Sequence, residues 1–149
     1  MPEVTAVVLA GRPNAGPLRA VSAAPWEGLV EIAGRPMVSY VVEALQQAAG
    51  VGRVVVVGPP EVAAVLQAVE VAPPGGSLAE SLRRGLAVAG AGPVLIVGSD
   101  LPLLRAEMVE RFLAACQASG AAVCYPIIAR EACRERFPDA RRTFVRLRE

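Results

Sequence analysis

The sequence predicts an α/β protein, a three-layer α/β/α sandwich on a mostly parallel sheet. Three observations carry that expectation. Short Val-rich apolar runs recur along the 149 residues, each closed by Gly or Pro, as strands buried in a parallel sheet read. Amphipathic segments with a helical stripe stand between them. The order is β-α-β-α-β-α-β-α-β, which right-handed crossovers turn into one sheet covered on both faces.

Residues 4–9 predict the first buried strand, closed by Ala10-Gly11. Residues 11–28 hold turn chemistry, Arg12-Pro13-Asn14-Ala15-Gly16-Pro17, and no sustained periodicity. A loop that long inside a compact domain is usually functional or disordered. Residues 29–32 are briefly extended, and Gly34-Arg35-Pro36 opens a helix with Val38, Val41, Val42, Leu45 and Ala48 on its apolar stripe. Residues 53–57 predict a second buried strand, stopped by Gly58-Pro59-Pro60, and residues 61–68 a helix with Val62, Val65, Leu66 and Val69 sharing a face. Residues 70–72 suffice for a short strand only. The loop Pro73-Pro74-Gly75-Gly76 must end abruptly, because Ser77-Leu78-Ala79-Glu80 is a capping box that announces a helix from Leu78 to about Ala89.

Residues 94–97 are four consecutive apolar positions and predict a central strand buried on both faces, ended by Gly98-Ser99. A helix over 106–117 turns Met108, Val109, Phe112, Leu113 and Cys116 inward. A further strand is expected over 121–125 and a short helix over 130–137, and the alternation over 143–147 fits a strand. No domain boundary or repeat is visible, so residues 1–149 are read as one domain.

Composition excludes whole mechanisms. All 15 cations are Arg, with no Lys and no His, which rules out a Schiff-base lysine, a Walker-type phosphate loop, a Ser-His-Asp triad and a histidine zinc site. The three cysteines, Cys116, Cys124 and Cys133, show no CxxC spacing, so neither a disulfide framework nor a zinc ribbon is expected. Residues 130–149 carry seven Arg against four acids (+3), leaving −2 on residues 1–129 to give the net +1. With one Trp, two Tyr and three Phe there is no aromatic-studded basic face for nucleic acid. No stretch approaches membrane-spanning length and no leader is visible, so a soluble, cytoplasmic protein is expected.

Chemistry is sought where the strands end. Ligands of open α/β sheets bind outside the carboxyl ends of the strands, and Asp100 follows one such end directly, before Leu101-Pro102. It suits a metal contact or, equally, a cap for the helix that begins near Arg105. The glycine turn at Gly11 lets backbone N–H groups approach phosphates, with Arg12 and Arg19 supplying charge in the same loop. The helix N-terminus at Ser77 suits an anionic or hydroxyl-rich ligand, although an ordinary loop and cap explain Gly75-Gly76-Ser77 as well. The dinucleotide fingerprint G-x-G-x-x-G is absent after the first strand.

Four blocks then stand in a telling order: Val7-Val8-Leu9-Ala10-Gly11; Val30-Glu31-Ile32-Ala33-Gly34-Arg35-Pro36-Met37; Gly75-Gly76-Ser77 with Ser81-Leu82-Arg83-Arg84-Gly85-Leu86; and Ser99-Asp100-Leu101-Pro102-Leu103-Leu104. In order and spacing they resemble the MobA-like nucleotidyltransferases, over nearly the whole chain. The resemblance implies a Rossmann-like, GT-A-like nucleotide-diphospho-sugar transferase sheet. It also implies transfer of a nucleoside monophosphate from an NTP to a phosphorylated small-molecule acceptor, of molybdopterin or sugar-phosphate type, with release of pyrophosphate. It implies that the loop after Gly11 faces the nucleotide phosphates, that Gly75, Gly76 and Ser81 border base and ribose, and that Asp100 binds Mg²⁺. With the residue reading added, the candidate nucleotide-binding residues are Leu9, Ala10, Gly11, Arg12, Gly75, Gly76, Ser77 and Ser81, and the candidate catalytic residues are Asp100 and Arg19.

The chain departs from the family pattern at three places. The doubled glycine of the first loop is a single Gly11 followed by Arg12-Pro13. The family's lysine before the extended segment falls at Glu27, a charge reversal beside a triphosphate. The chain also stops before the segment in which relatives carry acceptor-binding residues and a second metal-ligating acid, so the domain is expected to be truncated at its C-terminal end and its activity impaired. Self-association through the C-terminal third is expected to cover apolar surface there. The alternatives are a non-catalytic nucleotide-binding or interaction module of the same fold, and a GT-A sugar transferase.

Overall fold

The computed structural model describes residues 3–140 and 143–146. A single alternation explains its first layer: in β1 (Val4–Leu9), Ala6 and Val8 point to one face and Val7 and Leu9 to the other. β4 (Val51–Val57) repeats this with Val54 and Val56 against Val55 and Val57. These strands therefore need cover on both sides, and receive it. The four-stranded sheet runs β5 (Glu70–Ala72), β4, β1, β6 (Val94–Gly98), every pair parallel. A two-residue hairpin, β2 (Glu31–Ile32) with β3 (Arg35–Pro36), stands apart from it.

On one face Ala6, Val8, Val54, Val56 and Val97 pack against α1 (Met37–Gln47), α2 (Pro60–Ala63) and the first turns of α4 (Ala106–Ser119) through Val38, Val41, Leu45, Val62 and Val109. On the other, Val7, Val55 and Val57 pack under α3 (Leu78–Ala89) through Ala89. Fully burying each Val stabilises the fold by roughly 1.5–3 kcal/mol. The expected three-layer α/β/α arrangement is present. Its closest approach is at Gly85, where an added Cβ would lie 2.5 Å from Val7 Cγ1 and 2.7 Å from Val57 Cγ2. Only glycine lets α3 sit that low on the sheet.

Four expectations are corrected. β6 is the outermost strand on its side among the described residues, not a central one. Its Leu95 and Val97 pack into the core, but Ile96 on the opposite face is 49% exposed, because α3 lies over β1 and β4. The helix expected over 61–68 stops after Ala63. Ala68 takes a positive φ of 55°, and the Gln46 amide donates to the carbonyls of Gln67 and Ala68, a tertiary cap that local periodicity cannot reveal.

The other two corrections fall in the C-terminal part. The chain divides into two compact units, residues 1–115 and 116–149. In the second, α5 (Arg130–Arg136) forms where a helix was expected, with Cys133 buried and the Arg130 guanidinium 5.1 Å from the Phe144 ring. Residues 121–125 are not a strand, and neither are residues 143–146; Leu147 lies outside the described residues. An apolar run becomes a strand only where a neighbour takes up its backbone N–H and C=O groups, and none among the described residues pairs with these.

Candidate active site at the strand ends

Parallel register brings the loops together. Leu9 is level with Val57 on one side and Gly98 on the other, so Ala10, Gly58 and Ser99 all leave the sheet at one rim. The Ala10 N–H donates to Val57 O at 2.8 Å and the Ser99 N–H to Leu9 O at 3.3 Å. Gly11 follows where an added Cβ would lie 2.7 Å from Pro74 Cβ. The first loop and the segment before α3 therefore touch, and a side chain at position 11 would part them.

The Gly75-Gly76 segment is held by the start of α3. Ser77 is the cap, its Oγ accepting from the Glu80 N–H at 3.1 Å. Glu80 Oε2 reaches back to the Gly76 N–H at 2.8 Å, and Ser81 Oγ accepts from the Gly75 N–H at 2.9 Å. Arg84 closes the unit by donating to Pro74 O at 2.7 Å and pairing with Glu80. The predicted capping box is thus present, with its reciprocal bond displaced to Gly76. Ser81 has a structural bond of its own.

The Gly76 N–H, and after it Arg84, hold the Glu80 carboxyl below the ordinary glutamate value. A group whose folded value is lowered contributes its stability above the unfolded value of ~4.3 and loses it as pH falls through the lowered one. The Gly76 amide resonance should therefore titrate with a midpoint below ~4.3. An NMR titration with its midpoint at or above that value would contradict the bond.

The loop between β1 and β2 is better ordered than its composition suggests. Short 3₁₀ turns form at Pro17–Ala20 and Glu27–Leu29, and the base is clamped by a Pro13–Trp26 bridge. Asn14 is buried, its Nδ2 donating to Ser22 O at 3.1 Å and Ala24 O at 3.0 Å. Arg19 donates to Ala23 O at 3.0 Å, within its own loop, and is exposed.

Glu27 is the residue whose setting the sequence did not disclose. It is only 6% exposed, and its Oε2 lies 3.3 Å from Arg12 Nε. The apparent charge reversal is one half of an ion pair, and Arg12, in another of the three departures from the family pattern, is its partner. The signal lay in two unusual residues of opposite sign in one loop.

Asp100 stands at the rim, exposed, its Oδ1 2.6 Å from where a Cβ at Gly98 would be. It does not cap the following helix. α4 begins at Ala106, and Met108 and Val109 donate to Arg105 O, well beyond Asp100 along the chain. Among the described residues no set of three acids or cysteines gathers to hold a metal. A single exposed carboxylate still fits Mg²⁺, which keeps several waters and is commonly held by one or two carboxylates plus substrate phosphates.

A parallel α/β sheet flanked by helices, with glycine loops, a helix start and an exposed carboxylate at one rim, is the class of fold that binds ligands at its strand ends. Residues 6–135 match the model of the MobA-like NTP transferase domain, and the chain belongs to that family.

Among solved structures it is similar to a hypothetical transferase from Thermus thermophilus, with a TM-score of 0.79 and 39% identity, covering 98% of this chain and 60% of the other. It is also similar to CMP:2-keto-3-deoxy-manno-octonic acid synthetase complexed with CTP, at TM-score 0.63 and 25% identity, covering 80% and 49%. The 2-C-methyl-D-erythritol 4-phosphate cytidylyltransferase of Thermus thermophilus, at TM-score 0.58 and 22% identity, covering 85% and 58%, shares the fold. The chain thus spans between about half and three fifths of these proteins. A comparison with curated proteins gives no match.

Proposed function

We propose that the chain is the nucleotide-handling domain of a Mg²⁺-dependent nucleotidyltransferase, moving a nucleoside monophosphate from an NTP to a phosphorylated small-molecule acceptor. The observation that carries this reading is the contact of Gly11 with Pro74, just ahead of Gly75-Gly76, at the sheet end where the exposed Asp100 follows β6. An acceptor phosphate oxygen attacks the α-phosphorus, the α–β bond breaks, and pyrophosphate leaves. The nucleophile is already an anion, so the absence of His and Lys removes nothing the reaction needs. Positioning and charge stabilisation suffice. Mg²⁺ supplies charge neutralisation at the phosphates when bound.

Leu9, Ala10, Gly11 and Arg12 are assigned to the phosphates, Gly75, Gly76, Ser77 and Ser81 to base and ribose, Asp100 to the metal, and Arg19 to the transferring group once ligand draws it from Ala23. Two of the structurally similar proteins are, by name, a CMP-sugar-acid synthetase holding CTP and a cytidylyltransferase, which favours testing CTP first. Calorimetry with each NTP and Mg²⁺, followed by a pyrophosphate-release assay with phosphorylated acceptors, tests the reading. Failure of every NTP to bind would refute it.

Binding without rapid turnover is the second reading. It is favoured by the absence, among the described residues, of an acid cluster able to hold a metal around Asp100, since carboxylate-clamped phosphoryl transfer uses opposing ligands on the metal. Pyrophosphate release at ~1–1000 per second would exclude it. A sugar transferase on the same fold would instead release a nucleoside diphosphate.

The setting is taken as cytoplasmic, where NTPs are made; no helix among the described residues is long and apolar enough to cross a membrane. Self-association through the C-terminal third remains our proposal. It is supported by the exposure of the large apolar side chains of Val123, Tyr125, Ile127, Ile128 and Phe137, since exposed apolar surface gathered in one region marks interaction sites. Light scattering should show mass rising with concentration; a monodisperse monomer throughout would contradict it.

A further inference from the structure

We infer that Arg12 and Glu27 work as one unit, with buried Glu27 a positioning residue that aims the Arg12 guanidinium at the nucleotide's phosphates. The inference rests on the NTP-site reading above. Glu27 Oε2 forms an ion pair with Arg12 on the Nε side, at 3.3 Å. A guanidinium carries five N–H donors, so among the described residues the Nη groups remain for a ligand, and the Arg12 side chain is 71% exposed.

The pair is not a loose surface contact. The Glu27 N–H donates to Arg12 O at 3.0 Å and the Asn14 N–H to Pro25 O at 2.9 Å, so backbone bonds set the two residues side by side. Their neighbours fix where the pair stands. Gly11, before Arg12, is against Pro74, and Gly28, after Glu27, is against Ser99, whose Oγ would lie 3.6 Å from a Cβ there. Arg12 and Glu27 thus sit between the segment that leads into α3 and the end of β6, at the rim where the phosphates are placed. Stability gives a poor reason for such a pair, because burying a carboxylate against a mostly exposed partner carries a desolvation penalty that solvent-screened attraction barely offsets. A preorganised phosphate fork gives a better one.

The sign of one mutation separates this from simple repulsion. If Glu27 were only a negative charge near a triphosphate, Glu27→Gln would tighten NTP binding; as a positioning residue its loss frees Arg12 and weakens binding, by roughly three- to tenfold. Arg12→Gln should weaken it about tenfold or more, by removing a charge-assisted contact. Neither should alter binding of the corresponding nucleoside, which has no phosphates. Calorimetry would use the unsubstituted chain, Glu27→Gln, Arg12→Gln and Arg12→Lys, with Mg²⁺ and CTP, ATP, GTP or UTP, after thermal melts confirm folding.

Equal or tighter NTP binding by Glu27→Gln overturns the inference and leaves the NTP site standing. Should Glu27→Gln fail to fold, NTP affinity of Arg12→Gln equal to that of the unsubstituted chain overturns it instead. No NTP binding by the unsubstituted chain up to about 1 mM, the upper end of ordinary substrate affinity, overturns both readings.

Discussion

Asp100→Asn should abolish Mg²⁺-dependent NTP binding while leaving the fold intact. The carboxylate is exposed at the end of β6 and caps no helix, so its neutral isostere removes charge and little else. Surface changes of this kind stay within about 0.5 kcal/mol of stability. Losing a charged ligand on a divalent cation is far larger, several kcal/mol, and each ~1.4 kcal/mol is tenfold in affinity. The expected result is thus a loss of about 100-fold or more in NTP affinity with Mg²⁺, little change without it, and an unchanged urea midpoint. Equal affinity for Mg²⁺-NTP in both proteins would remove Asp100 from the site.

Gly85→Leu should produce the largest loss of stability of any single change in α3. Even a lone Cβ at position 85 would press on Val7 and Val57, at 2.5 and 2.7 Å, and both are fully buried in the two middle strands. Close-packed interiors do not absorb such volume, and overpacking costs about 1–3 kcal/mol or more. The helix must lift, and with it the Ser77, Glu80 and Ser81 bonds that hold Gly75 and Gly76. Urea denaturation should show a lower midpoint for Gly85→Leu, and calorimetry weaker NTP binding in whatever fraction stays folded. The exposed position Ala79 on the same helix is the control, since Ala79→Leu should change stability by less than about 0.5 kcal/mol. A Gly85→Leu variant as stable as the control would mean that α3 does not rest on the sheet as described.

Features whose cause lies within a few residues were legible in the sequence. The Ser77–Glu80 pattern announced α3 from Leu78 to Ala89, because a helix start is a local problem of unpaired N–H groups solved by side chains three apart. Continuous Val-rich runs in residues 4–9 and 53–57 announced strands with both faces covered, and the Gly34-Arg35-Pro36 signal announced α1. The four ordered blocks marked the Gly11 loop, the Gly75 segment and Asp100, and the rim they share follows from parallel register.

Matters that depend on neighbours distant in sequence were settled by the packed molecule alone. An apolar run such as residues 94–97 reads alike in a middle or an outer strand, and β6 proved outermost among the described residues. The apolar residues 121–125 found no paired strand among the described residues and formed none, and Gln46, from α1, caps the turn that follows α2. Glu27 shows the same rule at the site: read alone it is a misplaced negative charge, and Arg12, on the far side of the loop, makes it half of a pair. Local propensity is written into each short stretch of chain, whereas pairing, burial and charge compensation are properties of the partner that folding brings to it.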